Sequence, residues 1–169
     1  MEHAHLPVRA EVVIRDCTAD DLAALTWYSH GGGSEAKGRY LRWAYDKAAR
    51  GDSVFLTARF RDMAFARCQL HWRSEGNPRL ADGAISAELD DLFVHSPFRG
   101  MGVGRALVRA CIRLAAARGL RFLRLGVEPG HPAAVQLYAS EGFVDAGEGV
   151  LRWKDWSVRV RVWERGLGR

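Results

Sequence analysis

The sequence predicts an α/β domain built on a mixed sheet, and three observations lead to it. The 169 residues are one domain's worth of chain, long enough to bury a sizeable core. The apolar period switches repeatedly between two and three-to-four, which gives the order β-α-α-β-β-β-α-β-α-β-β with no internal repeat and no linker. Midway, an acidic strand runs through Arg99-Gly100-Met101-Gly102-Val103-Gly104 into a long helix.

Residues 1–10 read as a loose leader ahead of a domain spanning 11–165. Glu11 to Arg15 is a short β-rich run. Thr18 then supplies a helix cap, with Asp20 and Asp21 in the first turn, where the helix dipole favours negative charge. Leu22, Leu25 and Trp27 continue that helix and Gly31-Gly32-Gly33 ends it. From Ser34 a second helix carries Tyr40, Leu41, Ala44, Tyr45 and Ala48 on one face. Ser53 to Phe60 and Ala64 to Trp72 form a hairpin about Arg61-Asp62, and Ser74 to Pro78 is a loop. Ala84 to Val94 is a strand with Glu88, Asp90 and Asp91 inside an apolar run. Period two puts Glu88 and Asp90 on one face and Asp91 on the other. The following helix buries Val103, Leu107, Ala110, Cys111 and Leu114, shows Arg105, Arg109 and Arg113 on a basic face, and stops at Gly119. Leu120 to Val127 is a strand, Pro132 opens a short helix through Tyr138, and Gly142 stops it. Phe143-Val144 opens a strand, and Val150–Trp153 with Val158–Trp163 makes a final hairpin.

Composition removes whole classes of function. With 48% apolar and 27% charged residues the chain is neither disordered nor collagenous. No apolar run approaches the ~18–20 residues of a membrane span, and Met1 to His5 lacks the basic and apolar regions of a signal peptide. Cys17, Cys68 and Cys111 are odd in number and form no C-x-x-C, so they read as reduced, buried thiols of a cytoplasmic protein. The six histidines have no paired-ligand spacing, and no metal is expected. A net charge of +5 favours a polyanionic partner, such as nucleic acid, phospholipid or a phosphate-rich cofactor. The arginines form no single run, and no nucleic-acid-binding motif is present.

The glycine segment carries the chemistry. A strand, a sharp turn and a glycine-crowded first helical turn gather backbone N–H groups at a helix head, a cradle for phosphate oxygens. The dinucleotide fingerprint G-x-G-x-x-G, read from Gly100 and Gly102, fails at Arg105. The P-loop also fails, having no Lys-Ser/Thr. What stands is [Q/R]-x-x-G-x-[G/A], matched by Arg99, Gly102 and Gly104 after Leu92-Phe93-Val94. A second block, N-x-x-A-x-x-x-Y-x-x-x-G-F, is matched by Ala134, Tyr138, Gly142 and Phe143, with His131 where the block opens on asparagine. In both motifs and their order the chain resembles the GNAT superfamily of acyl-CoA-dependent N-acyltransferases.

The resemblance implies a single domain with a mixed, mostly antiparallel sheet flanked by helices and two strands splayed to hold the cofactor. It also implies direct transfer of an acyl group, usually acetyl, from acetyl-CoA to an amine. Gly100, Met101, Gly102, Val103, Gly104 and Arg105 would bind the pyrophosphate, and Leu92, Phe93 and Val94 would pair with the pantetheine amides. An N–H of Phe93 or Val94 would hold the thioester oxygen as negative charge develops. Arg99 and Ala134 are carried over as cofactor-side residues, and His131 as a cofactor contact or a helix cap.

An amine of pKa ~10.4 is protonated at neutral pH, so a base is needed. Glu88 matches the strand position where several members of the superfamily keep a glutamate, with Asp90, Asp91 or water as the alternatives. Tyr138 is the general acid for a thiolate of basicity ~8.5. No cysteine follows a nucleophile pattern, so no acyl-enzyme is expected. The acidic strand points to a cationic acceptor, leaving a polyamine, an aminoglycoside, a lysine side chain and a protein N-terminus open. A non-catalytic acyl-CoA sensor is the alternative reading. Trp153, Trp156, Trp163 and the valine-rich last strand are the candidate surface for a homodimer. No nucleic-acid or membrane partner is expected.

Overall fold

The computed structural model describes residues 12–29 and 35–168. The predicted leader, the Gly31–Gly33 stop and the start of the second helix at Ser34 lie outside the described residues. The elements are β1 Val12–Asp16, α1 Asp21–Ser29, α2 Glu35–Ala49, β2 Ser53–Phe60, β3 Met63–His71, β4 Ser86–Val94, α3 Val103–Ala117, β5 Phe122–Val127, α4 Pro132–Ser140, β6 Val144–Trp153 and β7 Trp156–Gly166. The strands form one sheet in the order β1-β2-β3-β4-β5-β7-β6. Every pairing is antiparallel except β4 with β5, so the expected mixed, mostly antiparallel sheet is found.

Alternation along the central strands divides the sheet into two unlike faces. Leu56, Ala58, Ala66, Cys68, Leu70, Ala87 and Leu89 join Leu107, Val108, Cys111 and Tyr138 in the main core under α3 and α4. The intervening positions of β2 and β3 begin with Phe55 and Ala64, which pack with Leu22, Leu25, Leu41 and Ala44 of α1 and α2. Farther along that face Arg67, Gln69, His71 and Glu88 are polar, yet all are buried. Burying such groups is unfavourable unless each finds a partner, and the partnerships they form shape the site.

The structure corrects the sequence-based expectation in three places. Leu114 is 37% exposed, and Val108 and Ala115 complete the buried stripe of α3 instead. β6 is one continuous strand: a register shift between Asp145 and Glu148, with Gly147 at φ 101°, absorbs the un-strand-like Ala146-Gly147 while pairing to β7 resumes on both sides. Asp91 does not point away from Asp90. A second irregularity, on β4 opposite Cys68, places Asp91 at φ 49° and turns its carboxylate onto Arg67 and Gln69, the same face that carries Asp90.

That bulge is tightly held. Left-handed backbone at a non-glycine residue costs about 1–3 kcal/mol and persists where its surroundings impose it. Here the Arg67 guanidinium donates to both carboxylate oxygens of Asp91 (2.7 and 3.0 Å) and the Asp91 N–H donates to Asp90 Oδ1 (2.8 Å). Beyond the bulge β4 follows β3, whereas β5 follows β7. The β4–β5 ladder therefore spans Ser86–Glu88 against Phe122–Arg124 and goes no farther.

At the other end of the sheet, Asp21 anchors α1. Its carboxylate accepts from the Thr18 N–H (2.9 Å) and hydroxyl (3.1 Å), pairs with Arg59 of β2, and is fully enclosed. Asp21→Ala should destabilise the domain by about 2–3 kcal/mol, because it removes the enclosed acceptor that caps α1 and receives Arg59. Urea unfolding at neutral pH measures this, and an unchanged midpoint would contradict it.

Candidate active site

The gap left where β4 and β5 part company is the centre of the site. His95 N–H donates to the Phe65 carbonyl across the β3 edge (2.9 Å). Successive N–H groups of a strand point to opposite edges, so the Val94 N–H faces the gap and the Phe93 N–H faces β3. The Val94 carbonyl, on the same open edge, is taken by Arg99 Nε at 2.9 Å. Arg99 thus ties the glycine loop back onto the strand that precedes it.

Gly100 and Gly102 have φ of 77° and 83°, and a Cβ at either would meet nothing within 4 Å. Glycine is required there by backbone conformation rather than by crowding. Gly102 caps α3 from the left-handed region, and the first bond inside the helix runs from Ala106 N–H to its carbonyl (3.0 Å). The N–H groups of Val103, Gly104 and Arg105 are left at the helix head without intrahelical partners. Two clefts flank this loop. One, of about 480 Å³, is lined by Val94, Arg99, Gly104, Gln136 and Leu137 among others. The other, of about 790 Å³, is lined by Met101, Val103, Arg105, Arg109 and Arg113 with β1. Open glycine backbone, a helix head, an unpaired strand edge and a basic wall suit a ligand that joins phosphates to an amide-bearing arm.

Not every predicted contact reaches these clefts. His131 is exposed at the head of α4 and makes no side-chain cap hydrogen bond, so it does not replace a capping asparagine. Ala134 packs half-buried against the core, while Ala133 lines the smaller cleft. Arg105 borders both clefts, but its guanidinium pairs with Glu141 at 2.5 Å. Arg109 reaches the same carboxylate at 2.9 and 3.2 Å, and Arg165 of β7 donates to the Glu141 carbonyl. Glu141 therefore clasps α3, the end of α4 and β7 together, which sequence spacing did not reveal.

Two of the predicted site residues are buried ionisable groups on opposite faces of the sheet, Glu88 at the last β4–β5 pair and Tyr138 in the main core. On the α2 side Glu88 is buried, and desolvation, reinforced by the charge of Asp90, pushes its carboxyl up to about 8 against the pull of Ser74 and Lys47. On the α3 side Tyr138 is buried edge-on to Phe143 (5.7 Å), and burial above all raises its phenol, which stays protonated. Nearby, the free thiols of Cys68 and Cys111 lie 3.5 Å apart in the core, fully enclosed. His71, which spacing did not single out, lies directly opposite Glu88 on β3. Among the described residues no cluster of three potential ligands could hold a metal ion, and no helix is long and apolar enough to cross a membrane.

Comparison with known proteins matches this architecture to a family. The family model for the acetyltransferase (GNAT) family covers residues 18–143, and the chain belongs to that family, whose acyl donor is acetyl-CoA. A curated relative, an uncharacterized N-acetyltransferase of Methanocaldococcus jannaschii, is 28% identical over 139 residues. That match takes in 77% of this chain and 59% of the relative, so the chain spans about three fifths of the relative's length. Among solved structures, an N-acetyltransferase from Staphylococcus aureus Mu50 superposes with a TM-score of 0.73 at 17% identity, over 94% of this chain and all of that one. The structure of yncA from Salmonella typhimurium with its cofactor acetyl-CoA superposes at 0.69 with 20% identity, over 94% and 95% of the two chains.

The Glu141 clasp has a pH signature. Arg109 and Arg105 hold its carboxyl below the ordinary range. Its stabilisation is therefore present above the unfolded value of ~4.3 and is lost as pH falls through the folded value. Glu141→Gln should cost about 1 kcal/mol at pH 7, modest because solvent screens both half-open guanidinium groups. The difference should shrink on acidification, as paired urea titrations would read. A deficit independent of pH would show that packing rather than charge holds the clasp.

Proposed function

We propose that the domain transfers an acetyl group from acetyl-CoA directly to a cationic primary amine, with Glu88 as general base and Tyr138 as general acid. The observation that carries this is the gap between β4 and β5, with the glycine loop at its mouth and Glu88 at its root; Tyr138, in the core on the α3 side, supports the acid role by its motif position. Bound acetyl-CoA supplies an acyl thioester. The backbone of Gly100, Met101, Gly102, Val103, Gly104 and Arg105 receives the pyrophosphate, and the open edge of Leu92–Val94 receives the pantetheine arm as an added strand would. The Val94 N–H, aimed into the gap, holds the thioester oxygen as charge builds on it.

On the acceptor side Glu88, Asp90 and Asp91 draw a cation toward the gap. Once its own proton has left to solvent, the ionised Glu88 takes the amine's proton. Because its carboxyl is pushed up to about 8, the base form grows as pH rises toward that value. The amine nitrogen forms the C–N bond as the C–S bond breaks, and the Tyr138 hydroxyl delivers a proton to the departing sulfur. No cysteine is needed as an acyl carrier: Cys68 and Cys111 are sealed in the core, and burial pushes Cys17 up to about 12. Acetyl-CoA and reduced thiols together fit a cytoplasmic setting.

Glu88→Gln should lower turnover by about 10²–10⁴-fold at pH 7 on an amine panel of spermidine, lysine methyl ester and a peptide N-terminus, read by thiol release from acetyl-CoA. Raising the pH should recover part of the loss, since free amine then forms without help. Tyr138→Phe should show a deficit that high pH does not recover. Normal turnover by Glu88→Gln at pH 7 would remove it as base, and acetyl-CoA binding without thiol release by the wild type would favour a sensor.

Gly102→Glu forces a side chain into left-handed backbone and sets a negative charge where phosphates belong. Acetyl-CoA affinity by calorimetry should fall on the order of 10²-fold, from strain and like-charge repulsion together. Unchanged affinity in a folded variant would move the donor site elsewhere.

A further inference from the structure

His71 of β3 is buried (4% exposed) on the polar face beneath α2, and three neighbours define its place. It is the direct cross-strand partner of Glu88, and directly paired side chains in a sheet lie within about 5 Å at Cβ. Its Nε2 is 3.5 Å from Asp90 Oδ2, at the outer limit of a hydrogen bond. Its Nδ1 is buried with no hydrogen-bond partner among the described residues, and its ring lies against Trp43 of α2 (6.5 Å between centroids). An imidazole that donates from Nε2 carries a bare lone pair on Nδ1, which is the tautomer this environment selects.

The other charged groups near this carboxylate pair are already matched. Arg67 of β3 and Lys37 of α2 face Asp91, at 2.7 and 3.8 Å. Lys47 of α2 is 2.9 Å from Glu75 of the loop after β3. Tyr40 of α2 is bonded by the Gln69 amide (2.8 Å). Asp90 is left with His71, while Glu88 sits two residues away on the same face of the same strand. Glu88 is buried while Asp90 keeps 41% of its side chain open, and two carboxyls this close do not both ionise easily, so through the neutral range they tend to share one proton.

We propose that His71 is a positioning residue that decides which carboxyl of the Glu88–Asp90 pair takes the proton. Donating from Nε2 to Asp90, it reserves the negative charge for Asp90 and the proton for Glu88. The direction of both titrations agrees: His71 is the chief influence lowering Asp90 against its burial, and Asp90 in turn raises Glu88. The assignment matters because Glu88 must release this proton before it can accept one from an amine, so His71, through Asp90, sets the pH at which Glu88 becomes available as a base. The catalytic purpose of His71 rests on Glu88 being the base, but the proton assignment can be read in the free protein without any acceptor.

Carboxyl ¹³C NMR over pH 3–10, with resonances assigned through Glu88→Gln and Asp90→Asn, reads both titrations. In the wild type the Glu88 midpoint should lie well above that of Asp90. In His71→Leu the two should converge, Glu88 falling and Asp90 rising, each by about one pH unit. Asp90→Asn should lower the Glu88 midpoint by a similar amount, and the His71→Leu/Asp90→Asn double variant should lower it no further, since His71 acts through Asp90. His71→Gln, whose amide can still donate, should keep most of the wild-type separation. Unmoved midpoints in His71→Leu, or a double variant whose shifts add in full, would overturn the proposal. If His71→Leu does not fold, ¹⁵N spectra of wild-type His71 decide: a proton on Nε2 with bare Nδ1 supports the assignment, and the opposite tautomer overturns it. Wild-type turnover by Glu88→Gln would sink the base and the purpose of His71 together, whereas unmoved midpoints would sink His71 alone and leave Glu88 as base.

Discussion

The separation of β4 from β5 after Glu88 is the constraint on which the site depends. A sheet normally satisfies both edges of an inner strand, and an unpaired N–H inside a protein is costly. Here the bulge at Asp91 bends β4 to stay with β3 while β5 runs on with β7. What results is an inner strand with one open edge beside the cleft lined by Val94, the glycine loop and Leu137. The Arg99 bond to the Val94 carbonyl closes one orphan of that edge and leaves the neighbouring N–H for a ligand.

Keeping that geometry requires a polar face to be buried. Arg67 is 2% exposed, donates to Asp91 through two nitrogens, and lies over the Phe93 ring (4.6 Å), so the same guanidinium braces the bulge and the strand segment beyond it. On the far side of the sheet the Glu141 clasp does comparable work for α3 and α4. It joins the helix whose head forms the loop to the helix that carries Tyr138. The main apolar core lies between these two polar braces.

Much of this was legible from residue types and spacing. Gly100 and Gly102 announced the turn into α3, because left-handed backbone followed by a helix head is written in glycine. Tyr138 and Gly142 announced α4 and its end in the same way. The misses share a physical cause: spacing arguments assume an unbroken period. Counting by two sent Asp91 to the wrong face because nothing local marks the bulge, which is imposed by Arg67 from the neighbouring strand. Leu114 was assigned to the core by helical phase, but Ala115, one position on, fills that place and leaves Leu114 at the margin of the buried stripe. His71 and Glu141 owe their significance to partners 17 or more positions distant, through strand register or helix docking, and no pattern along one segment reports either.

Glu88 also ties the folding of the chain to protons in solution. Unfolded, its carboxyl releases its proton near pH 4.3; in the native structure it holds one up to about 8. Between those limits the chain must take up a proton at Glu88 each time it folds, so for this residue native stability declines as the medium becomes more alkaline. Any ligand that favours the ionised carboxylate, as an ammonium group approaching the gap would, releases that proton on binding. The domain is therefore a small proton exchanger whose buffering changes with folding and with occupancy.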